Sequence, residues 1–93
     1  MEARVIGTQL LRSSTSVAAN YRAACRARSK SEFIAKMGVV VEEADESLFW
    51  LELLSKGGVI RSEATVSLRK EANQLVAIFV GSRRTAVRKS LKS

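Results

Sequence analysis

Two sets of side chains in this sequence could carry chemistry: a run of carboxylates in the middle and clusters of cations towards both ends. Glu42 and Glu46 stand one helical turn apart, beside Glu43, Asp45 and Glu52, and residues four apart share a helix face. Ferritin-type di-iron bundles also need Glu-x-x-His pairs, and the chain has no His. An oxygen-only Mg²⁺ or Ca²⁺ site stays open; the simpler reading is solvated carboxylates, or carboxylates paired with Arg12 or Arg69. Cys25 is the single cysteine and can close no intramolecular disulfide. As a free Cys it reads as a small packed side chain rather than a nucleophile. No nucleophile, base and orienting group can be assembled. No Gly-rich phosphate loop, zinc spacing or RNA-recognition signature is present. The expectation is a protein that is no enzyme, with no catalytic or metal-ligating residues and no cofactor.

The cations are the stronger signal. Sixteen Lys and Arg stand against nine Asp and Glu, a net charge of +7. Residues 1–30 carry +5, residues 31–63 carry −4 and residues 64–93 carry +6. Such an excess favours polyanionic partners, because counterion release drives their binding. The bland alternative is that the basic residues solvate helix faces and neutralise the acidic segment.

The remaining polar and aromatic residues read structurally. Trp50, Phe49 and Tyr21 could stack on unpaired bases, but they sit amid Leu and Val, so core or subunit interface is the better reading. Arg12, after two leucines, is assigned an ion pair between helices or subunits rather than a phosphate contact. Asn20, near an apolar stripe, calls for a hydrogen bond.

Positioning these groups falls to a short, helical chain. Its 93 residues, 46% hydrophobic and without Pro, allow one domain over residues 1–93 with a small core. Three stretches show helical periodicity. In the first, about residues 3–26, Ile6, Leu10, Val17, Tyr21 and Ala24 form one stripe. The small residues Ser13 to Ser16 in its middle allow close approach of another helix. The second, about 30–56, opens with Ser29 and Glu32 in capping-box spacing. It repeats Ile34, Met37, Val41, Ala44, Leu48 and Leu51, flanked by Phe33, Val40, Trp50 and Leu54, so it must face at least two neighbours. Gly57 and Gly58 end it. The third, about 62–90, repeats Leu68, Ala72, Leu75, Phe79 and Ala86, with Val76 and Val80 alongside, and its residues 83–93 are expected to fray. Segments 39–41 and 76–80 lack turn residues on both sides and are not read as strands. The fold class is all-α, an antiparallel up-and-down bundle.

Short connections make sequential helices antiparallel. The end of the first helix (Arg22, Arg26, Arg28, Lys30) then meets the end of the third (Arg83, Arg84, Arg88, Lys89, Lys92) at one pole. These nine residues are the candidate nucleic-acid-binding site.

The segment Gln9-Leu10-Leu11-Arg12-Ser13-Ser14-Thr15-Ser16-Val17-Ala18-Ala19-Asn20-Tyr21 resembles the signature of the 23S rRNA-intervening-sequence protein family. The likeness continues through Ser31-Glu32-Phe33-Ile34-Ala35-Lys36-Met37 and from Glu43 to Leu54, and more loosely through Leu68, Glu71, Ala72, Leu75 and Ile78. The resemblance implies antiparallel four-helix bundles that assemble as rings, commonly homopentamers, with no established enzymatic activity. It also implies a whole helix before Gln9, where only eight residues stand here. The expectation is three helices in this chain, with Met1 either a late start or the start of a shortened member. The apolar side left open is expected to be covered by another subunit. Glu42 in place of the family's usual lysine, and Ala23 in place of its glutamate, set aside any family ion pair at those positions.

The expected function is a non-catalytic, ring-forming homo-oligomer that binds nucleic acid, RNA favoured, through the basic pole. The alternative is an oligomeric scaffold or adaptor for a protein partner. A membrane-surface helix over residues 82–92 has too small an apolar face for firm insertion. The apolar run Leu75–Val80 is far short of the roughly 20 residues that span a bilayer. With no cleavable signal and a lone Cys, the default location is cytoplasmic.

Overall fold

The computed structural model describes residues 2–58 and 62–92. Three helices run through them in the order α1 (Ala3–Cys25), α2 (Lys30–Lys56) and α3 (Ser62–Lys92), with no strand among the described residues. The molecule measures 50 × 20 × 17 Å. The predicted boundaries hold to within two residues. The expected fraying of residues 83–93 does not occur within the described residues: α3 continues to Lys92. Its last turns are held because Ala86 and Val87 lie half-buried against α2, and Arg83 Nε donates to the Ile34 carbonyl at 3.2 Å.

The turn between α1 and α2 is tightly tied. Arg26 N–H donates to the Ala23 carbonyl and Ala27 N–H to the Ala24 carbonyl, both at 3.1 Å. Ser29 caps α2 by accepting from Glu32 N–H at 3.1 Å. The other arm of the expected capping box is shifted by one residue. The Glu32 carboxylate accepts from Arg28 N–H at 3.3 Å, not from the cap residue itself. At the far end of α2, Gly58 takes φ +70°, a left-handed conformation that costs glycine nothing.

Helix α2 is the central element. Against α1, the Ser13 and Ser47 hydroxyls meet at 2.8 Å, and Ser13 is wholly buried. Against α3, Ser55 and Thr65 meet at 3.1 Å near one end, and Arg83 reaches Ile34 near the other. Both pairings descend one helix while ascending the next, so the expected antiparallel order is observed. The core gathers Ala24, Met37, Val40, Ala44 and Phe79, with Val17, Phe33, Val41 and Val76 packed around it.

Helices α1 and α3 do not approach each other at the backbone among the described residues. They meet through side chains, with the Tyr21 and Phe79 rings 5.5 Å apart. Between them runs an apolar groove of about 310 Å³, floored by Ala44 and Leu51 and walled by Leu10, Val17, Leu68 and Leu75. The third helix's stripe is therefore only partly core. Leu68 is 46% exposed and Leu75 50% exposed, because none of the described helices closes over them.

Candidate nucleic-acid interface

The tied turn fixes Arg28 and Lys30 at the start of α2, and the antiparallel return of α3 delivers Lys89 beside them. These three cations rim one cavity of about 340 Å³, floored by Ala27, Phe33 and Ala86. On the other flank of α3, Arg83, Arg84 and Arg88 rim a second cavity of about 330 Å³ over Val41, Val80 and Val87. A third hollow, about 210 Å³, lies along the outer face between Thr85, Arg88, Lys89 and Lys92. Arg88 and Lys89 each belong to two of the three, so the cations form one continuous belt around the end of α3.

The nine candidate residues are not equally placed. Arg28, Lys30, Arg84, Arg88, Lys89 and Lys92 belong to the belt with their charges directed to solvent. Arg83 lies along α2, bonded to the Ile34 carbonyl, with its Nε 3.3 Å from where a Cβ on Gly38 would sit. Arg22 and Arg26 are exposed at the end of α1 and line none of these hollows. Among the described residues, none of the nine is joined to a carboxylate in an ion pair. Glu32 is the acidic neighbour at this pole, and its carboxylate is engaged with Arg28 N–H.

The carboxylate run has a different employment. Arg12 reaches across from α1 to Glu43 at 3.3 Å and to Glu46, the interhelix ion pair expected of it. Trp50 Nε1 donates to the same Glu46 carboxylate at 3.2 Å. The hydrogen bond from Trp50, then that from Arg12, holds the Glu46 carboxyl below its usual range. The Glu46 hydrogen bond in turn raises the Arg12 guanidinium. Among the described residues, no three acidic, Cys or His side chains are gathered to hold a metal. Arg69, the other expected partner, makes no ion pair among the described residues, and its Nε is buried without a hydrogen bond. It lies on α3, whereas Glu43 and Glu46 turn towards α1.

One structural reading needs correction. Cys25 is exposed, not packed, because Ala24 takes the core-facing position beside it and is 2% exposed. Its hydrogen bond with Tyr21 pushes the Tyr21 phenol up. Tyr21 and Phe49 are about half exposed, outside the core of the single subunit, and each keeps an aromatic neighbour, Phe79 and Trp50 respectively. Asn20 does find its bond, donating to the Ser16 carbonyl at 2.9 Å. The residue that sequence reasoning passed over is Phe33, assigned to the core alone. Its signal was its place three residues after Lys30 and five after Arg28.

No described helix is long and apolar enough to cross a membrane. The profile of 23S rRNA-intervening sequence proteins matches residues 1–81. A solved structure, a protein of unknown function from the S23 ribosomal protein family of Bacteroides thetaiotaomicron, is similar with a TM-score of 0.81 and 34% identity. That likeness covers 85% of this chain and 73% of the other. No curated protein matches the chain. The family match stops short of Arg83, so every cation that α3 contributes to the belt lies beyond it. The match over residues 1–81, the helical architecture and the similarity to the S23 structure agree: the chain belongs to the 23S rRNA-intervening sequence protein family.

Proposed function

We propose that this protein is a non-catalytic, oligomeric helical bundle that binds RNA through the phosphates at its basic pole. The observation that carries the reading is one cavity rimmed by Arg28, Lys30 and Lys89, the last more than fifty residues from the other two in sequence. A pole of unpaired cations attracts a polyanion through counterion release. Contacts of this kind position a strand without reading its sequence. RNA is favoured over DNA by the family's association with ribosomal RNA intervening sequences. Assembly of several copies into a ring, with the groove between α1 and α3 covered by a neighbour, would present several poles together and raise affinity by avidity.

The test is fluorescence anisotropy with a labelled single-stranded RNA at low salt. If about five phosphates are neutralised, log K falls with log salt with a slope of about −3.5. Changing Arg83, Arg84, Arg88 and Lys89 together to Gln should abolish most of the binding. Undetectable binding at low salt, or binding indifferent to those four changes, would reject the reading. The half-exposed Leu68 and Leu75 favour the second reading, a scaffold for a protein partner. Protein capture that survives nuclease treatment and is lost when this groove is altered would support it.

A further inference from the structure

The cavity at the turn between α1 and α2 is more than a cluster of charges. Its floor is apolar, made by Phe33, Ala27 and Ala86, and its rim is cationic, made by Arg28, Lys30 and Lys89. Phe33 is half-buried and braced against the core, so its ring is held in place while part of it faces the opening. The volume of about 340 Å³ falls at the small end of ligand sites, which run roughly 300–1,000 Å³. That is room for one flat ring system, not for a helix. An occupant that matches both parts carries an apolar ring and an adjacent negative charge.

We propose that this cavity seats one unpaired RNA base against Phe33, with Arg28, Lys30 and Lys89 on the flanking phosphates, so that the pole selects single strands over duplex. The inference rests on the RNA-binding reading above and names the form of RNA that the site takes. A regular duplex keeps its bases stacked inside and offers the pole only phosphates and sugars. Its binding could use the rim but not the floor. An unpaired nucleotide uses both, and stacking on an aromatic side chain is indifferent to base identity.

The experiment compares three labelled probes on the intact protein at low salt: a single-stranded RNA, the same strand in a duplex, and a strand of equal length without bases. The expected result is binding of the single strand on the order of tenfold tighter than of the abasic strand, the scale of one stacked base. The duplex should bind as weakly as the abasic strand. Phe33→Leu should erase the difference between the first and third probes. Lys89→Gln should weaken all three. Should Phe33→Leu fail to fold, the wild-type comparison alone decides the matter.

Equal binding of single-stranded and abasic probes would overturn this inference and leave the phosphate-binding pole standing. Failure of every probe to bind would overturn both. Displacement of the single strand by phosphatidylglycerol vesicles at equal phosphate concentration would overturn the inference in favour of a lipid surface.

Discussion

Ser47 Oγ donates to Ser13 Oγ at 2.8 Å across the seam between α1 and α2, at a position where Ser13 has no exposed surface. Ser13 Oγ lies 3.2 Å from the Leu10 carbonyl, and the Glu43 carbonyl is a second acceptor for Ser47 at 2.9 Å. Two small hydroxyl side chains therefore set how closely the helices approach. Ser13→Leu should destabilise the fold by about 1–3 kcal/mol, the usual cost of forcing extra carbons into a packed seam. Ser13→Ala keeps the spacing and should cost only about 1 kcal/mol for the lost hydrogen bond. Urea denaturation monitored by circular dichroism checks the order. Equal effects would mean that helix separation does not depend on this contact.

The Arg12–Glu46–Trp50 arrangement gives stability a pH dependence. In the folded chain the Glu46 carboxyl is held below its ordinary range, so folding favours its ionised form. The contribution is present above the unfolded carboxyl's range and is lost as pH falls through the lowered folded value. Because these groups are exposed and screened, the effect is modest and shrinks in high salt. Glu46→Gln should flatten the acid limb of the stability profile while leaving the alkaline limb unchanged. Thermal melts across the acid range, at low and at high salt, measure it. An acid limb of unaltered steepness in the variant would assign acid sensitivity to other carboxylates.

Two helix-interior glycines make a matched pair. A Cβ on Gly81 would meet nothing within 4 Å, so Gly81→Ala should stabilise α3 by about 1 kcal/mol. For a chain of this size that is roughly 4–8 °C in melting temperature. A Cβ on Gly38 would instead meet Arg83 Nε at 3.3 Å and push the guanidinium off the Ile34 carbonyl. The same helical gain is then partly offset, and Gly38→Ala should stabilise less. In an Arg83→Gln background the clash is gone, and Gly38→Ala should stabilise as much as Gly81→Ala. If Gly38→Ala stabilises as much as Gly81→Ala on its own, the Arg83 contact contributes nothing.

What the sequence made legible and what it hid follow from the range of the forces involved. Local determinants read directly: Ser29 at the cap, Gly58 past the end of α2, and the period that buries Met37, Val40 and Ala44. The meeting of Arg28 and Lys30 with Lys89 was also legible, because short connections leave an antiparallel chain little freedom about which ends coincide. Contacts set by side-chain reach were not. Arg83 extends down α2 to a backbone carbonyl, and Glu32 bonds one residue away from its expected donor. Leu68 and Leu75 share the period of Phe79, and periodicity identifies a face without saying whether anything covers it. Cys25 shows the same limit at one-residue scale, since Ala24 takes the core position beside it.

The open groove supplies the last prediction. Leu68 and Leu75 are half exposed and face Leu10 and Val17 across a gap that no described part of the chain fills. In a lone subunit, changing both leucines to Ser removes contacts that are already half solvated, so helix content and low-concentration stability should change little. In an assembly that covers the groove, both side chains would be fully buried, at roughly 1.5–3 kcal/mol each. The double variant should then fall from an oligomeric to a monomeric mass in light scattering. Its melting temperature should also lose the dependence on protein concentration that association confers. Retention of the wild-type mass by the double variant would move the subunit contact elsewhere, with the exposed Val39 and Phe49 of α2 as the next surface to alter.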